Sequence, residues 1–130
     1  MPKIRFFGIA LIAALLIANP AFSQNYDKDL VVKVMRQNGA SLGPLNAAAG
    51  SKDFATAGEK LKLIAEGMES IKDFTPPKGE KASFKQTIED FVAAANKGLA
   101  ASAAQDQAGL QTAIAELRTL MRKGHGEFKP

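Results

Sequence analysis

An apolar residue recurs at every third or fourth position between residues 54 and 71, and this spacing is what most constrains the fold. The positions concerned are Phe54, Ala57, Leu61, Ile64, Met68 and Ile71. On a helix of 3.6 residues per turn they form one stripe, whereas a half-buried strand requires a period of two. The pattern therefore predicts a packed amphipathic helix. Ser51 is its expected N-cap, Phe74 closes it, and the Pro76-Pro77 pair stops it.

Two further stretches carry the same pattern. One begins at Ser83, with Gln86 three positions later in the arrangement of a capping box. Its apolar stripe is Phe84, Ile88, Phe91, Ala95 and Leu99. The other begins after Asp106, a suitable N-cap. Its stripe is Leu110, Ala113 with Ile114, Leu117, Met121, Gly124 and Phe128.

The stretch from Tyr26 to Ala49 is a weaker helix. Gly39, Gly43 and Pro44 interrupt it, and a proline inside a helix costs up to about 3 kcal/mol. We therefore expect a kink near Ala40. Glycines four positions apart leave one helix face without side chains, which suits either close packing against another helix or the space for a flat ligand.

Four helices joined by short loops predict an all-α fold, namely an up-down-up-down antiparallel four-helix bundle. Residues 1–23 read as a secretory signal that directs the chain to the periplasm, and residues 24–130 as the bundle domain. Lys3 and Arg5 precede an apolar run, and small residues precede Gln24. An uncleaved membrane anchor is the alternative, although the run is short for a span of about 20 residues.

Composition excludes several functional classes. The chain has no cysteine and one histidine, so disulfides, cysteine zinc sites, thioether-linked haem and a multi-histidine metal cage are ruled out within one chain. Residues 24–130 carry 15 basic and 13 acidic side chains, and no basic patch with interleaved aromatic residues suggests nucleic-acid binding. No phosphate loop or nucleophile motif occurs, and Glu66 and Glu69 lie off the stripe, so we expect no enzyme.

His125 is the residue best suited to bind a metal ion or a cofactor. It follows Met121 by four positions and precedes Phe128 by three, so all three are expected on one side of the last helix. A histidine near a helix C-terminus is favoured by the helix dipole alone. A neutral imidazole is also a good ligand for haem iron. With the thioether of Met121 it would form a partial copper site.

The segment Met121-Arg122-Lys123-Gly124-His125-Gly126-Glu127-Phe128-Lys129 resembles the last helix of the cytochrome c-prime family, which ends in C-x-x-C-H followed by an acidic, an aromatic and a basic residue. Val31-Val32-Lys33-Val34-Met35-Arg36-Gln37 resembles the opening of that family. Thr75-Pro76-Pro77-Lys78 looks like the mid-chain loop of the related soluble b-type cytochrome, which holds haem without covalent bonds.

The resemblance implies that His125 is the proximal iron ligand, while Met121 and Gly124 replace the two haem-attaching cysteines. Arg36 would lie near the haem propionates, and Ala40 would leave the opposite face of the iron open. Met35 is a possible sixth ligand, in the manner of the b-type relative; an ordinary core methionine is the alternative.

Two hypotheses follow from this reading. The first is a periplasmic protein that binds haem non-covalently for electron transfer or the binding of a small gas, with a redox protein as partner. The second is a haem-free bundle that has lost the cofactor and acts as a binding or structural module. The small-residue face of the first helix also allows a homodimer, and no membrane contact is expected after signal cleavage.

Overall fold

The computed structural model describes residues 27–129, so the predicted signal segment lies outside the described residues. This part of the chain contains four helices and no strand: α1 (Lys28–Ser51), α2 (Phe54–Glu69), α3 (Lys81–Ala103) and α4 (Gln107–Phe128). Helices that follow one another in the chain pack against each other. The predicted all-α four-helix bundle is confirmed. Within residues 27–129, each helix is too short or too polar to cross a membrane.

The N-cap of helix α2 lies two residues later than predicted. Ser51 is the last residue of α1, and Lys52 takes a left-handed conformation with φ of 60°. This reversal makes Asp53 the N-cap of α2, where its carboxylate accepts the backbone N–H of Thr56 at 3.2 Å. Hydrogen bonds from the side chain and the backbone of Thr56 hold the pKa of Asp53 below its usual value. The prediction of Ser51 as N-cap was wrong.

The predicted capping box at Ser83 and Gln86 was also wrong. Helix α3 begins at Lys81, two residues earlier, after Glu80, whose side chain makes no capping bond. The Ser83 hydroxyl instead bonds Glu127 of α4 at 2.5 Å, and Gln86 bonds Asp90. Because the Ser83 hydroxyl bonds a residue of another helix, it does not cap α3.

Other predicted ends and interruptions are closer to the structure. Asp106 caps α4 as predicted, accepting the N–H of Gly109 at 3.0 Å. Helix α1 continues through Gly39, Gly43 and Pro44, so these residues do not divide the segment. Pro44 is exposed, which leaves water free to satisfy the carbonyl that loses its donor. The kink near Ala40 stays a prediction.

The core follows the predicted stripes. Every stripe position of α2 after Phe54 is buried, as are the first four of α3. The largest fully buried side chains are Leu45, Leu61, Ile64, Ile71, Leu110 and Leu117. All four helices therefore share one apolar interior.

Gly98 sets the distance between α2 and α3. A Cβ atom at Gly98 would lie 2.9 Å from Cδ1 of Leu61, which is fully buried, and 3.4 Å from Cβ of Ala113 on α4. Three helices thus meet at a position that has no room for a methyl group. Gly58, one of the neighbouring glycines on α2, meets only Leu99 at 4.0 Å.

We expect Gly98→Ala to lower the free energy of unfolding by about 1–3 kcal/mol, because it overpacks this junction. Gly58→Ala is the matched control and should raise it by up to about 1 kcal/mol through helix propensity. Urea unfolding followed by circular dichroism measures both. Equal effects of the two substitutions would contradict the role given to Gly98.

Asn38 is the unusual residue of the core. It is only 3% exposed, and its Nδ2 donates to Sδ of Met68 at 3.2 Å, a weak acceptor. Its Oδ1 is buried without a hydrogen-bond partner. A buried polar atom left unpaired destabilises the fold by about 1–3 kcal/mol.

Replacing Asn38 with leucine, whose four side-chain heavy atoms branch in the same way, should therefore raise the free energy of unfolding by about 1–3 kcal/mol. Asn38→Ala should be less stable than Asn38→Leu, since it leaves a cavity beside Val34 and Met68. Chemical denaturation of the three proteins tests this order. A leucine variant no more stable than the parent would show that Asn38 is satisfied in solution.

Candidate ligand-binding seam between α1 and α4

The four helices are not packed equally. The pairs α1–α2, α2–α3 and α3–α4 are in extensive contact, whereas α1 and α4 approach each other at few positions. One contact between them is a clasp at one end of the bundle, where Nε2 of Gln107 donates to the carbonyl of Ala49 at 2.8 Å. We call the line along which α1 and α4 face each other the seam.

The orientation of α4 follows from its contacts with α3. Glu116 pairs with Lys97 at 3.8 Å, and Glu127 bonds Ser83. These two glutamates mark the flank of α4 that faces α3. The opposite flank, which faces the seam, carries residues spaced by four, three and four: Ile114, Arg118, Met121 and His125.

The orientation of α1 follows in the same way from α2. Val34 lies beside Gly67, whose Cβ atom would meet it at 3.3 Å, and Asn38 bonds Met68. The flank of α1 turned away from α2 faces the seam and carries Met35, Gly39, Leu42 and Asn46, again spaced by four, three and four. Met35 and Leu42 are half-buried, as expected where α4 covers them incompletely.

The clasp fixes the register of the two rows. Met35 lies 14 residues before Ala49 and Met121 lies 14 residues after Gln107, a distance of about 21 Å along either helix. Because α1 and α4 run antiparallel, the two methionines are level with each other. By the same count, His125 is level with Val31. Helix periodicity and this register therefore predict that Met35, Met121 and His125 lie at one end of the seam.

His125 itself is exposed. The sequence predicts Met121, His125 and Phe128 on one side of α4. In the structure the three side chains differ in how far they are buried. Phe128 is 6% exposed and meets the ring of Phe84 edge-on, with centroids 5.2 Å apart. Met121 is half-buried. The imidazole is therefore a surface group at the edge of the seam, on a helix turn that Phe128 anchors.

The last turn of α4 is held by three contacts to neighbouring elements. Besides the aromatic pair, Glu127 bonds Ser83, and Nζ of Lys78 donates to the carbonyl of Gly126 at 3.3 Å. Gly79, with φ of 81°, lies against the Phe128 ring. The loop before α3 thus covers the end of α4 and fixes the backbone that carries His125.

The other predicted site residues lie elsewhere. Gly124 faces α3, where a Cβ atom would meet Cγ2 of Thr87 at 3.8 Å. Ala40 is exposed and lies off the seam row. Arg36 is also exposed; with Asp29, Val32 and Lys33 it lines a shallow surface depression of about 400 Å³. These residues therefore do not share a pocket with His125.

The C-terminal half of α4 is rich in positive charge. Arg118, Arg122 and Lys123 are exposed, and none takes part in the ion pairs found within residues 27–129. Those ion pairs join Lys72 to Glu69, Lys85 to Asp73 and Lys97 to Glu116. In the same part of the chain, no group of three or more histidine, aspartate or glutamate side chains could hold a metal ion. The donors available are one imidazole and two thioethers, with guanidinium groups nearby.

Sequence reasoning missed the buried amide of Asn38. No signal in the sequence marks it, because burial of one amide depends on how α1 is rotated. Neither a protein-family model, nor a curated protein, nor a solved structure matches the chain.

Phe128→Ala should free the last turn of α4, because it removes the aromatic contact that anchors it. We expect amide hydrogens of residues 124–129 to exchange at least tenfold faster in this variant, a change of about 1.4 kcal/mol or more in local stability. Phe128→Leu keeps apolar contact with Phe84 and should show a smaller effect. Unchanged exchange in Phe128→Ala would show that Glu127 and Lys78 hold the turn without the ring.

Proposed function

We propose that the chain is an exported haem-binding protein that holds the haem non-covalently in the seam, with His125 as the iron ligand. The observation that carries this proposal is the loose packing of α1 against α4, the two helices that carry half-buried Met35, half-buried Met121 and exposed His125. The resemblance to the cytochrome c-prime family supplies the identity of the cofactor. Electron transfer or binding of a small gas is the corresponding role.

The residues present fit haem in three respects. His125 is exposed, so its imidazole can meet an iron atom without leaving a packed core. Met35 and Met121 are half-buried and offer apolar, adaptable surface to a flat ring. The positive side chains near them suit the carboxylates of the porphyrin. Haem bound here would supply an iron centre for redox chemistry or gas binding.

Each side chain has a separate task under this proposal. His125 binds the iron, and the contacts of Phe128 and Glu127 hold its helix turn in place. Met121 stands where a covalent attachment occurs in the family, and contributes packing alone. Met35 is level with Met121 and is the candidate for a sixth ligand.

The alternative is a haem-free bundle that acts as a binding or structural module. One observation favours it: the core of residues 27–129 is already filled by apolar side chains, six of them large and fully buried. Under this alternative the protein unfolds cooperatively at high temperature and does not bind hemin. A molten apoprotein that orders only on adding hemin would contradict it.

Titration of the purified chain with hemin tests the proposal. We expect one hemin per chain with a sharp Soret band, and His125→Ala should weaken binding at least tenfold, or by about 1.4 kcal/mol, because it removes the iron ligand. Met35→Leu separates the role of the sixth ligand: a shift of the spectrum to a five-coordinate form, with affinity largely kept, supports it.

Thr119→Ala is the matched control on α4. Thr119 is exposed, and its hydroxyl accepts a long bond from Arg122 and donates to the carbonyl of Ala115 within its own helix. The control should bind hemin as the parent does. Equal binding by the parent and by His125→Ala would overturn the assignment of His125, and no spectral change with the parent would overturn haem binding.

A further inference from the structure

Helix α1 contributes little to the shared apolar interior. Of the six largest fully buried side chains, only Leu45 lies on α1; the other five lie on α2, on α4 or in the loop after α2. Two of the six buried residues of α1, Asn38 and Ser41, are polar, and two more are alanines. Because large apolar side chains supply most of the stability gained by burial, the interior is assembled mainly by α2, α3 and α4.

Few polar contacts hold α1 to the other helices. It packs extensively against α2 alone, meets α4 at few positions and is not adjacent to α3. Within residues 27–129, none of the ion pairs involves α1. Its side-chain hydrogen bonds to other helices in that range are the one from Asn38 to the sulfur of Met68 and the clasp, in which Gln107 reaches the carbonyls of Ala49 and Gly50. The clasp lies at the end of α1 that leads into α2, so the rest of α1 depends on apolar packing and one weak bond.

The helix itself has little intrinsic support. Gly39, Gly43 and Gly50 lie within α1, and Pro44 is the one proline inside a helix of the described residues. Glycine and proline are the poorest helix formers. No atom of another helix lies within 4 Å of a Cβ placed at any of these three glycines, so close packing does not compensate for them.

We propose that α1 is a lid that opens as a unit from a folded body made of α2, α3 and α4, and that the unpaired amide oxygen of Asn38 weakens its closed position. The junction at Gly98 joins the three helices of the body through Leu61 and Ala113, without α1, and remains intact on opening. The buried Oδ1 of Asn38 bonds water only when the lid opens. Units that open at a lower free energy than the whole fold are common in proteins. This inference concerns the ligand-free chain and does not rest on haem binding.

Opening of the lid uncovers a defined part of the interior. Met68 is 6% exposed; Asn38 bonds its sulfur, and Val34 lies against its neighbour Gly67. The thioether of Met68 is therefore shielded while the lid is closed and reaches solvent when α1 leaves. The lid thus controls access of solvent and solutes to the apolar face of α2.

Native-state hydrogen exchange of the full chain tests the proposal. We expect the amides of residues 34–43 to share one opening free energy and to exchange about tenfold faster, or more, than the slowest amides of α3. Asn38→Leu should slow these α1 amides about fivefold or more, because it removes the unpaired oxygen from the closed lid. Equal exchange of α1 and α3 in the parent would overturn the lid, and unchanged α1 exchange in Asn38→Leu would overturn the part played by Asn38.

Gly98→Ala is the matched variant in the body. It weakens a junction that the open state keeps, so it should speed exchange of the slowest α3 amides about fivefold or more and leave the α1 amides within about twofold of the parent. In a bundle that opens only as a whole, the same substitution speeds both sets equally. That result would contradict the proposal.

Oxidation by hydrogen peroxide gives an independent readout that does not require Gly98→Ala to fold. Peroxide transfers one oxygen atom to a thioether sulfur and leaves as water, and mass spectrometry measures the rate at each methionine. Met68 should react more slowly than half-buried Met35 and Met121. Asn38→Leu should slow Met68 about fivefold further and leave the other two within about twofold. Equal rates at all three methionines in the parent, or an unchanged rate at Met68 in the variant, would count against the lid.

Discussion

The close approach of α2, α3 and α4 at Gly98 is the constraint on which the rest of the structure depends. Leu61 and Ala113 fill the space where a side chain would otherwise stand, and this junction joins three helices into one tightly packed unit. Helix α1 has no comparable junction with α4. It is attached along α2 through Val34 and Asn38 and is clasped to α4 at its C-terminal end. The seam is the consequence of this uneven packing.

The sequence predicts the helices well because each carries a stripe with one period. The burial of Leu61, Ile64 and Met68 follows from their spacing alone. Helix ends are less predictable because several polar residues compete for them. Ser51 and Ser83 are both suitable caps. The left-handed conformation of Lys52 makes Asp53 the N-cap of α2, and the Ser83 hydroxyl bonds Glu127 instead of capping α3. The first outcome depends on a local backbone conformation, and the second depends on a contact between helices.

The candidate site is predictable in part for a related reason. A stripe predicts which side of a helix is buried, but it does not predict which flank faces which neighbour. The spacing of Met121 and His125 puts them on one side of α4. Gly124 meets Thr87, whereas its neighbour His125 is exposed, and this difference depends on where α3 lies. From the resemblance, Arg36 was expected near the haem propionates and Ala40 on the open face of the iron; in the structure both residues are exposed.

The burial pattern also bears on how a ligand would affect folding. Because the large core residues are fully buried against one another, a ligand in the seam would cover surface that the fold leaves half-covered, chiefly at Met35, Leu42 and Met121. Each Å² of apolar surface removed from water contributes about 25 cal/mol. Such binding adds to the stability of a bundle that is already formed, as mass action requires for any ligand of the native state. The fold is therefore compatible with both functional hypotheses. The two hypotheses differ in the role they give to half-buried Met35 and Met121 and to exposed His125.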